Sequence, residues 1–215
     1  MVDKSNEYGY IPSSPTQAIG ANTGVFEVND IVDLLAAQQW SGDFGSLELI
    51  QTQTLADATY ATTEVDFTDL GNYKVHLLTQ TNLKNNGYMY TALQLSVGGT
   101  FQTTGYYSAH QRIEDNSTGS IYTQSNDANI VFGLYTYRGS NTYVWLYNLL
   151  DVNEKAFVNF QTVGIEGNNA GVSSGFGGGF RNTNAAYDGI RITHQAGVSL
   201  GGYGTWSLYG LKDSV

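Results

Sequence analysis

The sequence predicts an all-β protein, an antiparallel β-sandwich of jelly-roll type with an extended N-terminal arm and one short helix. Three observations predict it. From Leu47 onward about ten short segments rich in β-branched and aromatic residues are separated by Gly, Asn, Asp and Ser clusters, spaced roughly 8–14 residues apart. No helical periodicity intervenes between them. The last stretch, GIRITHQAGVSLGGYGTWSLYGLK at 189–212, alternates so that half its side chains need an interior, which a second sheet must supply.

The elements follow in order. Residues 1–24 hold both prolines, Pro12 and Pro15, among Ser, Thr, Asn and Gly. Proline fixes φ and biases its predecessor toward extended geometry, which predicts an arm. Tyr8, Tyr10, Ile11 and Ile19 are too apolar for an idle linker, so the arm docks either on its own β-domain or on another chain. Asn29 then supplies an N-cap, Asp30 and Asp33 suit the positive end of a helix dipole, and Ile31, Leu34 and Leu35 form an i, i+3, i+4 stripe. About three turns of helix are marginal alone, so this stripe needs a surface to cover it. Ser41 to Ser46 reads as a hinge.

The strands begin with LELIQTQTL, TYATTEVDF and YKVHLLTQT. Asn86-Gly87 predicts a hairpin from YKVHLLTQT into YMYTALQLSV, and Gly98-Gly99 turns the chain again before TFQTTGYYSAHQRI. SIYTQS follows the polar turn at 114–119. NIVFGLYTYR and TYVWLYNLL predict a hairpin about Gly139-Ser140-Asn141, with Tyr135 and Tyr137 set against Tyr143, Trp145 and Tyr147 in an aromatic ladder. KAFVNFQTVGIEG is a further strand. The Gly-rich run at 175–180 reads as a flexible or tightly turning connection, and 189–212 as a closing hairpin about Gly201-Gly202.

Composition narrows the function. The chain of 215 residues carries 19 acidic against 9 basic side chains, a net charge of −10, and the bases are scattered. Nucleic-acid binding needs a basic patch that displaces counterions, so no nucleic-acid partner is expected. Without cysteine there is neither a disulfide framework nor thiolate chemistry. The opening MVDKSNEYGY has no apolar core, and no run of about 18 apolar residues occurs, which predicts a soluble chain without a secretory signal or membrane span. Only 13% of residues are charged. The surface is therefore covered by Ser, Thr, Asn, Gln and Gly, which suits packing against neighbours.

Reactive constellations are weak. His76, His110 and His194 stand alone in strand-like settings, without the paired spacing of a metal site, so no metal and no cofactor are expected. Glu64 and Asp66 lie on one face of a strand, the minimal arrangement for a carboxylate pair in sugar hydrolysis, but such i, i+2 acids are common on solvated faces. The run GFGGGF lacks the G-K-[ST] ending of a phosphate loop. Sixteen tyrosines and three tryptophans beside many amides remain. They suit a packed core, a protein interface or a carbohydrate surface.

Three stretches in order carry a resemblance: YGYIPSSPTQAIGANTGVFEVNDIVDLL with the following LELIQTQT, then YKVHLLTQTNL with SVGGTFQTTGYYSAHQRI, then the ending GTWSLYGLK. Together they span nearly the whole chain, which resembles virion structural proteins of tailed bacteriophages, of the kind common in marine phages. The resemblance implies a non-enzymatic appendage or decoration subunit of tail-fibre, head-fibre or capsid type, located in the virion after assembly in the bacterial cytoplasm. It implies other virion proteins as partners and a homo-oligomer, with a trimer favoured. On this reading residues 1–46 are the anchoring segment and 47–215 the outward β-sandwich. Candidate docking residues are Tyr8, Tyr10, Ile11, Pro12, Phe26, Ile31, Leu34 and Leu35. Candidate interface or glycan-binding aromatics are Tyr135, Tyr137, Tyr143, Trp145 and Tyr147. The alternative is a host-receptor module that binds a surface glycan.

Overall fold

The computed structural model describes residues 46–56, 62–84, 90–115, 119–132, 139–165, 171–194 and 202–212. The expected arm, the helix and the docking residues Tyr8 through Leu35 lie outside the described residues. Leu47–Leu211 forms one compact unit. Among the described residues it is all-β, with β1 Leu47–Ala56, β2 Val65–Phe67, β3 Val75–Lys84, β4 Thr91–Val97, β5 Thr100–Phe101, β6 Tyr106–Glu114 and β7 Ser120–Asp127. There follow β8 Ile130–Val131, β9 Ser140–Tyr147, β10 Lys155–Ile165, β11 Val172–Asn184, β12 Gly189–His194 and β13 Tyr203–Leu211.

Two antiparallel sheets result. The larger has the order β1-β13-β3-β9-β10-β11-β6-β7, and the smaller β2-β12-β4-β5 with β8 also paired to β4. Their inward side chains make a single core in the manner of a sandwich. Val65, Phe67, Leu93, Leu95, Ile190 and Ile192 come from the smaller sheet; Leu78, Val144, Leu146, Val158, Phe160, Trp206 and Leu208 come from the larger. Burial of each such side chain contributes roughly 1.5–3 kcal/mol, so the alternation seen along each strand selects which face turns inward. Trp206 is fully buried and meets the Phe132 ring edge-on at 6.2 Å between centroids. Tyr106 stitches the two sheets, its phenol oxygen accepting from the Leu95 N–H at 2.7 Å.

Three expectations about connectivity are corrected. The alternating end of the chain is not a hairpin: β12 pairs with β2 and β4 in one sheet while β13 pairs with β1 and β3 in the other. Nor do the strands flanking Asn86-Gly87 pair, because β3 belongs to the larger sheet and β4 to the smaller. In both cases each strand finds long complementary partners elsewhere, and a chain that crosses between layers buries both. The Gly98-Gly99 turn does close the β4–β5 pair, with both glycines at positive φ of 59° and 75°.

The third correction is the glycine-rich run. It lies within β11, which at 13 residues outreaches every other described strand. The neighbouring backbones come so near that a Cβ built on Gly178 would lie 2.7 Å from the Val158 carbonyl oxygen, and one on Gly179 would lie 2.5 Å from that of Tyr107. Glycine here marks close approach of strands and not a loop.

Candidate functional site

The outward side of the larger sheet follows from the same alternation that builds the core. On β9, Val144 and Leu146 point inward, so Tyr143, Trp145 and Tyr147 point outward. On β10 the inward residues are Ala156, Val158 and Phe160, which turns Phe157, Asn159, Gln161, Val163 and Ile165 to the outside. β11 presents Val172, Phe176 and Phe180 on that side, and β6 presents Tyr107 and Ile113.

This face gathers the exposed apolar surface of the unit. Among the described residues, the large apolar side chains that remain exposed are Leu47 and Leu49 on β1, Ile113 on β6, Ile121 on β7, Tyr143 on β9, Phe157, Val163 and Ile165 on β10, and Val172 and Phe176 on β11, apart from Val152 and Tyr203. Ile121, the barest at 77% exposure, is paired in register with outward Gln111.

Register sets these side chains in rows across the strands. One row runs Tyr147, Phe157, Phe180, Tyr107 over β9, β10, β11 and β6. Phe180 stacks on Tyr107 at 5.3 Å with an interplanar angle of 9°, and Phe157 tilts against Phe180 at 5.9 Å. The next row sets Trp145 beside Leu77 and Asn159, and a third sets Tyr143 beside Thr79 and Gln161. There the Tyr143 hydroxyl donates to Gln161 Oε1 at 2.5 Å.

Charge is nearly absent from this surface. The outward positions of β9, β10, β11 and β6 include no Asp or Glu, although the whole chain carries −10. Lys155 is the one charged residue among those positions. Its ammonium bonds Asn182 Oδ1 at 2.6 Å and lies 5.3 Å from the Phe180 ring centroid, so it extends the aromatic row as a cation over a ring face.

Elsewhere the candidate chemistry is occupied by structural partners. Arg191 on β12 forms a two-pronged pair with Asp66, Nε to Oδ1 and Nη2 to Oδ2 both at 2.8 Å, and its Nη1 reaches Glu64 Oε2 at 2.9 Å. The hydrogen bond to Asp66 raises the Arg191 pKa further, and the guanidinium also lies 4.0 Å from the centroid of the Phe101 ring. Both acids that a hydrolase would need are therefore turned onto one cation. They border a cleft of about 530 Å³ lined also by Gln53, Leu55 and Thr62. The three histidines are buried. His76 donates from Nε2 to the Leu70 carbonyl at 2.8 Å, and His110 stacks on Tyr122 at 5.0 Å. Among the described residues no three His, Asp or Glu side chains are placed to hold a metal ion.

Of the aromatics singled out in the sequence, Tyr143, Trp145 and Tyr147 lie together on the outer face, while Tyr135 and Tyr137 lie outside the described residues. The cross-strand partners of the three differ from the expected hairpin, since β9 is flanked by β3 and β10 along its length. Sequence reasoning missed Phe157, Phe176, Phe180 and Tyr107. The available signal was KAFVNFQTVGI, in which both alternating sets are rich in apolar residues, a pattern that leaves an apolar face outside whichever set is buried.

Compared with family models, curated proteins and solved structures, the chain matches none.

Proposed function

We propose that this chain is a non-enzymatic structural subunit of a tailed-phage particle, an appendage or decoration protein whose β unit works by packing against its neighbours. The observation that carries the reading is the outer face of the larger sheet, apolar and free of carboxylates along β9, β10, β11 and β6, a surface of the kind that marks contact sites on soluble proteins. Strand order adds support. With β1-β13-β3-β9 set opposite β2-β12-β4-β8, the strand order is compatible with a jelly roll in which β6, β7, β10 and β11 widen the larger sheet and β5 adds to the smaller. Jelly rolls serve in capsid and lectin domains alike, so the fold alone does not choose between roles. The resemblance of the three sequence stretches favours the particle, with residues 1–46 as the anchoring segment.

Particles purified from infected cells and labelled with antibody against this chain test the reading. Labelling at a fixed position is the expected result, and loss of labelling on deletion of residues 1–24 locates the anchor. Unlabelled particles would sink it.

A second reading rests on Tyr143, Trp145 and Tyr147 with the amides of Asn159 and Gln161 alongside them, since ring faces next to amides suit sugar CH surfaces and hydroxyls. It expects the wild-type chain to be retained by a host polysaccharide and Trp145→Ala to lose retention. Equal retention of both removes it.

A further inference from the structure

We infer that the outer face of the larger sheet, centred on β10 and β11, pairs with the same face of a second copy of this chain across a two-fold axis. This deepens the assembly reading by naming the first partner.

Two observations select a second copy as occupant. The first is charge. Two chains at −10 each repel, and contact is tolerable only through a region free of acids. The outward positions of β9, β10, β11 and β6 provide it: they carry no carboxylate, and Lys155 at the rim is held by Asn182 and the Phe180 ring. A neutral face is complementary to itself, whereas a partner recognised by charge would find nothing to read.

The second is area. Phe157, Val163, Ile165, Val172 and Phe176 are each 45–53% exposed. A half-exposed phenylalanine leaves roughly 100 Å² bare and a half-exposed Val or Ile roughly 50–80 Å². With Tyr143, Ile113 and Ile121 the patch reaches roughly 500–700 Å², close to the ~800 Å² per partner of an ordinary stable interface and at the upper end of what a lone domain leaves uncovered.

Symmetry follows. A single patch that meets its own copy closes at two, while a three-fold ring requires two different patches. Sheets that pack face to face stack about 10 Å apart, so the pairing adds a further packed layer of apolar side chains.

The test is sedimentation equilibrium on the full chain in its wild-type form and as Phe176→Lys, Val163→Lys and Val152→Lys. Val152 is barer still, at 61% exposure, but lies between β9 and β10, off the sheet face. The expected result is a wild-type dimer at micromolar concentration, at least about tenfold weaker association for each face variant, and no change for Val152→Lys. Circular dichroism melts of all four establish that the variants are folded; should Lys prevent folding, Phe176→Ser replaces it with the same expectation. A monomeric wild type, a trimer, or a dimer indifferent to Phe176 and Val163 overturns the pairing. So does a monomer that binds polysaccharide through Trp145, which hands the face to a glycan. A monomer that still labels particles refutes the pairing and spares the assembly reading; a dimer absent from particles does the reverse.

Discussion

His76 and His110 lie on inward faces of β3 and β6, and burial lowers the pKa of each below the ordinary histidine value. For His76 the hydrogen bond to the Leu70 carbonyl opposes that shift without reversing it; for His110 the nearby Arg112 charge adds to it. The folded state thus disfavours the charged form of both rings relative to the unfolded chain. An unfolded chain takes up protons on these rings below about pH 6.5, so it binds more protons than the native state there, and stability falls as pH drops through that value. Urea denaturation at pH 7.5 and at pH 5.5 checks this: the midpoint moves to lower urea at the acid pH, and His76→Gln shrinks the difference. A midpoint independent of pH would refute it. Asp188 acts in a separate window. Its pKa is lowered chiefly by the Ser96 hydroxyl, with the Gly99 N–H at 2.8 Å also bonded, so its contribution is present above the ordinary carboxylate value and is lost only as pH falls below about 4.

At the scale of the element, β11 is the most demanding strand of the larger sheet. It carries glycine at 175, 177, 178 and 179, each of which loses more backbone freedom on folding than any other residue would. What offsets this is pairing on both edges, with β10 and with β6, over nearly its whole length. Gly178→Ala places a methyl against the Val158 carbonyl, and backbone cannot swing aside as a side chain can. The expected cost is about 1–3 kcal/mol, read as a fall in urea midpoint with unchanged slope. A neutral or stabilising result would mean that the strands relax apart without loss. This strand also marks where sequence reading stopped. Alternation in KAFVNFQTVGI or TYVWLY is written in side chains and is legible, whereas β11 is defined by a lack of side chains, and a glycine run reads as a turn until its neighbours are known. The outer aromatic row was hidden for a related reason. Tyr147, Phe157, Phe180 and Tyr107 come from four strands, and only cross-strand register brings them together.

At the scale of the molecule, the sheets were legible as a class and not as a wiring. Strand patterns say how many faces need covering; they do not say which strand leaves for the other layer, and that choice separated β3 from β4 and β12 from β13. The consequence is a unit held by distant pairings. β13 fills the gap between β1 and β3 and brings Trp206 and Leu208 into the core. A chain ended after His194 opens an edge on both neighbours and empties the centre, so we expect it to lose the sigmoidal thermal transition of the intact protein and to bind a hydrophobic dye. A cooperative melt from that fragment would show that the two sheets cohere without their shared last strand.

Strand β1 opens the unit and β13 closes it, with Leu47 opposite Leu211 and the Lys212 N–H bonded to the Ser46 carbonyl at 3.0 Å. Entry and exit are therefore a single doorway. A linker of a few residues would join them into a circular permutant, and equally the unit could be spliced into a surface loop of an unrelated host without prying that loop apart.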